Sequence, residues 1–267
     1  MTQAFPLSLR ISGDGIPVVF IHGWGMGGVA WRFQSPLATR YRLIIPDLPG
    51  YGDSHPSPSD QWTTTSLAGG LAKALERLVE EPPFFVGWSL GSLIALRFLR
   101  TFPEKVRGVI LVGGTARFST TDGYDAGLPP RDIRGLALRL RRNYGDTMGG
   151  FFSRMFADGE LDHDQYQKIV REIILPGRQP SLDVALQGLE LLANEDLRGE
   201  LSHLHHPSLI LHGLGDTITP PASARYIADR LPHASLQYLP GIGHAPFLSR
   251  PEEFNSLVSS FIDEVTS

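Results

Sequence analysis

The chain has no cysteine among its 267 residues. That excludes disulfides, thiolate metal ligands and a Cys nucleophile together, and fits a reducing, cytoplasmic setting. Lysine is nearly missing as well: 3 Lys stand beside 21 Arg. Acidic residues outnumber basic ones, 28 to 24, for a formal net charge of -4. The chain therefore lacks the basic excess with which a domain binds nucleic acid. The longest apolar runs, such as 109–112, fall far short of a membrane span. The opening Met1-Thr2-Gln3-Ala4-Phe5-Pro6 has no basic stretch followed by an apolar one, so no secretion signal is expected. Gly (29) and Pro (21) are too few for a low-complexity segment, and no repeat runs through them. What remains, 42% apolar and 19% charged, is an ordinary globular composition long enough for one large domain.

Short runs rich in Val, Ile, Leu and Phe at 7–11, 18–21, 42–46, 84–87, 109–112, 208–212 and 236–239 read as strands. Several are continuous apolar stretches bounded by Gly or Pro, the pattern of strands buried on both faces. Between them Leu67, Leu71, Leu75 and Leu78 recur at helical spacing behind the caps Thr63 to Ser66. Residues 90–102 are apolar almost all round, and 251–265 open with Pro and two Glu, a favourable helix start. This alternation predicts an α/β fold: a mostly parallel twisted sheet with helices on both faces. The rhythm breaks at 118–201, where helices are expected at 131–143, 146–156, 162–175 and 181–192. An all-helical insertion after a parallel strand covers the ligand end of the sheet. The expected organisation is a core of 1–117 and 202–267 with an inserted helical lid at 118–201.

Gly87-Trp88-Ser89-Leu90-Gly91 lies between a strand and a helix. A serine at such a turn needs small neighbours two residues away, because the backbone is tight; the turn lifts the hydroxyl beside a helix N-terminus. A neutral serine is a poor nucleophile, so an acid and a histidine should follow in that order. Asp216 falls in the loop after the strand at 208–212, and His244 in Gly241-Ile242-Gly243-His244-Ala245-Pro246-Phe247, after 236–239. The loop at 113–117 carries no competing acid. The expected roles are Ser89 as nucleophile, His244 as general base and then acid, and Asp216 as the group that orients the imidazole. Acyl transfer also needs donors for a developing oxyanion. His22-Gly23-Trp24-Gly25 follows the strand at 18–21, which assigns the backbone N–H groups of Trp24 and Leu90. His22 is expected to brace its loop, the Trp24 side chain to wall the pocket, and Trp88 to serve as wall or core. His203, His205 and His206 lack matching carboxylates, so a solvated loop is expected there and no metal site. His55, His163 and His233 are expected to be exposed, His212 to pack at a strand end, and Asp47 and Asp53 to turn their loop.

These motifs resemble the α/β-hydrolase superfamily over nearly the whole chain. Within it, His22-Gly23-Trp24-Gly25, Asp47-Leu48-Pro49-Gly50, Gly87-Trp88-Ser89-Leu90-Gly91, His244-Ala245-Pro246-Phe247 and Gly188-Leu189-Glu190-Leu191-Leu192 with Asp196-Leu197-Arg198 are similar to the methyl ester esterases of the biotin pathway. Ser92 departs from that pattern, where a second Gly is usual; packing rather than chemistry is expected to change. The resemblance implies the α/β-hydrolase fold, no cofactor, and hydrolysis of a methyl ester at the far end of a pimeloyl chain held on acyl carrier protein. It places Phe151 where the family's lid contributes a substrate contact, beside Trp24 and Met155. Phe151, Phe152, Met155 and Phe156 suit an acyl channel or, equally, plain lid packing. Arg131, Arg134, Arg139, Arg141, Arg142 and Arg154 face only Asp132 and Asp146 in the same segment, a local charge of +4. Such a patch, with Arg134, Arg139, Arg142 and Arg154 as docking residues, suits an acidic carrier; the alternative is a solvated face without a partner. Open beside this reading stand a carboxylesterase for short free esters, other chemistries of the same triad (C–C hydrolysis, cyanohydrin cleavage, perhydrolysis), and a silent receptor.

Overall fold

The computed structural model describes residues 7–56 and 62–267, so the opening segment 1–6, read for a signal, lies outside the described residues. The strands are β1 (Leu9–Ser12), β2 (Ile16–Ile21), β3 (Tyr41–Pro46), β4 (Phe84–Trp88), β5 (Gly108–Val112), β6 (Ser208–Gly213) and β7 (Ala234–Leu239). They form one sheet in the order β1-β3-β2-β4-β5-β6-β7. β1 runs antiparallel to β3, with Leu9 opposite Pro46, and every other pairing is parallel. β4, β5 and β6 are buried at every position, which is why their sequences show no alternation. The edge strands β1 and β7 are half open and do mix polar with apolar residues.

Helices α1 (Thr64–Leu75) and α2 (Leu90–Thr101) flank the sheet; α3 (Pro130–Arg142), α4 (Tyr144–Ser153), α5 (His163–Ile169) and α6 (Leu182–Asn194) form the insertion between β5 and β6. The core resumes with α7 (Pro221–Ala228), α8 (Pro246–Ser249) and α9 (Pro251–Thr266). Side chains set several starts. Thr63 accepts from the Ser66 amide and Ser181 from the Val184 amide. Asn143 caps α4, which starts at Tyr144, two residues ahead of its expected start, and stops at Ser153. Asp162 and Gln165 make a reciprocal capping box for α5. The single helix expected over 162–175 instead widens after Ile169 into a π turn, where the Leu175 amide reaches the Val170 carbonyl at 2.9 Å. α7 was hidden in the sequence by Pro220-Pro221, which reads as loop although Pro is well suited to a first helical turn.

The chain progresses from β2 to β3 on one side, then crosses back to β4 on the other. The loops after β2 and β4 therefore leave the sheet side by side in opposite directions, opening the crevice where parallel sheets bind ligands. Both expected halves of an oxyanion pocket start there.

Candidate active site

Ser89 follows β4 at φ 54°, the only non-glycine with positive φ among the described residues. That strain costs on the order of 1–3 kcal/mol and persists because the neighbours fix the turn. A Cβ on Gly87 would lie 2.5 Å from the Gly91 carbonyl oxygen, and one on Gly91 2.3 Å from that of Ile21. The glycines thus let the serine turn press against the end of β2, bringing the Trp24 loop beside the first turn of α2. Ser92, fully buried, donates to the Ser89 carbonyl at 2.6 Å, so the hydroxyl that departs from the family pattern reinforces this turn.

Asp216, in the loop after β6, meets His244, in the loop after β7. His244 Nδ1 lies 2.7 Å from Asp216 Oδ2. A carboxylate can only accept, so Nδ1 carries the proton and Nε2 is left bare. Nε2 is buried and has no hydrogen-bond partner among the described residues. The imidazole is tied to the serine turn from two sides. Trp88 Nε1 donates to the His244 carbonyl at 2.9 Å. Gly113 follows the residue whose carbonyl accepts the Ser89 amide, and a Cβ on it would sit 2.9 Å from His244 Nδ1. Trp88 is therefore a fully buried core residue that also holds the histidine loop.

Asp216 accepts the Ile218 and Thr219 amides at Oδ1, 2.8 and 2.9 Å, so its own side chain turns the loop that carries it. Burial pushes its carboxyl up, but the facing His244 imidazole, His212 and the Thr219 amide more than offset this and leave it below its ordinary value. Two further groups crowd it. The Thr219 hydroxyl lies 2.8 Å from Asp216 Oδ2, 2.8 Å from the Gly113 carbonyl and 3.1 Å from His244 Nδ1. His212 points Nε2 at the Thr219 carbonyl, 2.8 Å away, and lies 3.4 Å from Asp216 Oδ2. Burial lowers its pKa despite the facing Asp216 carboxylate. The strand-end packing expected of His212 thus occurs against the acid itself. Sequence reasoning passed over Thr219, although Asp216 and Thr219 at a three-residue spacing before a proline carry the signal of a side-chain-capped turn.

His22 braces its loop: Nδ1–H donates to the Gly23 carbonyl at 2.9 Å, and Nε2 accepts the Leu48 amide at 2.9 Å. Burial pushes its pKa down to about 4, so the ring is uncharged at neutral pH. Asp47 accepts the Gly28 and Asp53 amides and the Arg10 guanidinium, the loop-turning role expected for it. Asp53 is exposed, and its carboxylate lies 3.6 Å from Arg10. The Trp24 ring stands between core and lid. Its Nε1 donates to the Ala185 carbonyl of α6 at 2.8 Å, and Phe151 of α4 meets it edge-on at 4.7 Å. Met155 is buried, and its carbonyl accepts the His244 amide at 2.7 Å. Ser89, Asp216 and His244 are 5%, 4% and 1% exposed, so all three lie beneath the surface. His55, His163, His203, His205 and His233 are exposed, and no group of three His, Asp or Glu among the described residues is placed to hold a metal. Nor is any helix there long and apolar enough to cross a membrane.

A family profile described as alpha/beta hydrolase fold matches residues 16–251, and the chain belongs to that family. The fold and its relatives define a serine-hydrolase-type carboxylic ester hydrolase. Within the family the chain is closely related to the pimeloyl-[acyl-carrier protein] methyl ester esterases. It is 32% identical to that of Nitrosomonas europaea over 94% of this chain and 97% of the relative. With that of Aeromonas hydrophila it shares 32% over 96% and 99%. Among solved structures it superposes on an esterase from Exiguobacterium antarcticum with a TM-score of 0.89 at 26% identity, covering 98% and 96% of the two chains. A bromoperoxidase from Bacillus anthracis, at 22% identity and a TM-score of 0.88 over 96% and 95%, shares the fold.

Proposed function

We propose that Ser89, His244 and Asp216 work as one catalytic unit on the methyl ester of a pimeloyl chain carried by acyl carrier protein, beneath a lid spanning 118–201. Ser89 Oγ attacks the ester carbonyl while His244 Nε2 takes its proton. The amides of Trp24 and Leu90 hold the oxyanion, and the imidazolium, steadied by Asp216, returns the proton to the departing methanol. Water then attacks the acyl-enzyme with His244 again as base, leaving a free carboxylate. The observation that carries this reading is the 2.7 Å His244–Asp216 contact, which leaves a bare, buried Nε2 on an imidazole whose backbone is bonded to Trp88, the residue before the strained serine.

The carrier-linked substrate draws its support from the lid. A groove of about 310 Å³ has an apolar floor that includes Phe118, Leu136, Phe151 and Ile218, with Arg139 and Arg154 on its walls. Phe151 joins that floor to Trp24 above the site. Arg134, Arg139 and Arg142 are exposed and have no carboxylate within ion-pair distance among the described residues, and Arg154 reaches only the Thr217 carbonyl. Guanidiniums without intramolecular partners beside an apolar groove suit an acidic protein that delivers an acyl chain. A second reading is turnover of short free esters with no carrier protein; the overlap with the Exiguobacterium esterase supports an esterase under either reading.

Ser89→Ala should lower p-nitrophenyl butyrate turnover by about 10⁴-fold or more, and undiminished turnover refutes the serine assignment. Arg139→Glu with Arg142→Glu should slow hydrolysis of the carrier-linked methyl ester while small-ester rates hold. Equal loss on both substrates refutes carrier docking at this face.

A further inference from the structure

The lid touches the catalytic histidine through a turn whose chemistry the triad does not use. Ala157-Asp158-Gly159-Glu160 closes with the Glu160 amide on the Ala157 carbonyl at 3.1 Å, and Gly159 takes φ 73°, the positive value that a type II turn needs at its third residue. The Glu160 side chain folds back over the turn. Its Oε2 accepts the Ala157 amide at 2.6 Å and, across 83 residues of sequence, the Gly243 amide at 2.7 Å. The adjacent His244 amide donates to the Met155 carbonyl at 2.7 Å. Two consecutive amides of the histidine loop are thus held by one short piece of lid. The approach is close enough that a Cβ on Gly243 would sit 2.5 Å from the Met155 oxygen, and one on Gly215, beside the acid, 2.6 Å from Ala157 Cβ. No cation pairs with Glu160 among the described residues, so the carboxylate serves here as an acceptor for amides and not as half of an ion pair.

We propose that Glu160 is a positioning residue for the base: by holding the Gly243 amide against the lid turn, it fixes the loop that aims the His244 imidazole at Ser89. The inference rests on the serine-esterase reading above. It assigns the stretch 155–160 a task in the reaction separate from covering the substrate. A base displaced by a fraction of an ångström loses much of its rate, whereas ester binding at Trp24 and Phe151 is untouched.

The test compares Glu160→Ala and Glu160→Gln with the parent full-length chain. With p-nitrophenyl butyrate, Glu160→Ala should lose about tenfold or more in kcat with KM within about twofold. Glu160→Gln, whose amide oxygen still accepts the Gly243 N–H, should recover most of that loss. The second readout is the low-field proton resonance of the His244 Nδ1–H···Asp216 bond, recorded without substrate: it should broaden or shift in Glu160→Ala and persist in Glu160→Gln. If Glu160→Ala does not yield soluble protein, Glu160→Asp, which withdraws the acceptor by one methylene, replaces it with the same expected loss. A kcat within twofold of the parent overturns the proposal, as does an unchanged resonance. Ser89→Ala run alongside separates the two ideas: turnover in that variant refutes the esterase reading, while the substrate-free resonance judges Glu160 alone.

Discussion

Two sets of arginines in this molecule obey different rules. Where the lid joins the core, the guanidiniums are paired and partly buried. Arg97 bonds Glu195 at 2.8 Å with side chains 19% and 15% exposed, and Thr64 bridges the two. Arg117 and Arg198 both grip Asp196 at 2.8 Å, so the chain entering the lid and the chain leaving it are pinned to one carboxylate. On the outer face of α3, Arg134, Arg139, Arg141 and Arg142 are exposed, with no carboxylate in reach among the described residues, and Leu138 stands 68% exposed between them. The same residue type fastens the lid at its base and is left unspent on its face. Arg suits both tasks because its planar fork pairs with two carboxylate oxygens at once and is only weakly hydrated.

Breaking the junction should have the largest effect. Arg97→Met strands Glu195 with only the Thr64 hydroxyl, and should cost about 2–3 kcal/mol in urea unfolding, a value discounted from the fully buried case for partial exposure. A loss below about 0.5 kcal/mol would put the junction in the same class as the α3 face. The double reversal Arg139→Glu with Arg142→Glu should leave stability within about 0.5 kcal/mol. It should nevertheless slow the carrier-linked reaction about tenfold at low salt, with the gap closing as ionic strength rises and the field is screened. The smallest effect concerns pH. The Arg198 and Arg117 hydrogen bonds lower the Asp196 pKa from 3.8 to about 2. Between those values the unfolded chain binds a proton that the folded one does not. The contribution of Asp196 is therefore complete above pH 3.8 and is lost as the pH falls toward 2. The stability difference between the parent and Asp196→Asn should be flat above that window and shrink within it; a difference already shrinking near pH 5 would contradict the pairing.

The sheet and the lid insertion were legible because each is written locally, and the choice of Ser89, Asp216 and His244 as candidates rests on equally local signals. Buried parallel strands spell continuous apolar runs, and Ser89, Asp216 and His244 each stand in a glycine-bearing stretch near a strand end. What escaped was the set of contacts made across distance. Thr219 carried a local turn signal, but its reach to Gly113, 106 residues away, did not. Glu160 looked like one more acid on a lid loop until the fold brought it to Gly243. The arginines showed the same limit: their number was plain, yet Arg97, Arg100 and Arg117 pair with acids 79 to 100 positions away.

By itself, the order of residues determined the strands and most of the helices, the strained serine turn and the kinds of group available for chemistry, since all three follow from backbone sterics and hydrophobic spacing within a few residues. Only the tertiary structure decided that His244 turns its protonated nitrogen to Asp216, that His22 is held neutral, and that the lid grips the histidine loop. Those outcomes depend on burial and on hydrogen bonds a few ångströms long, and such distances exist only once remote segments have packed.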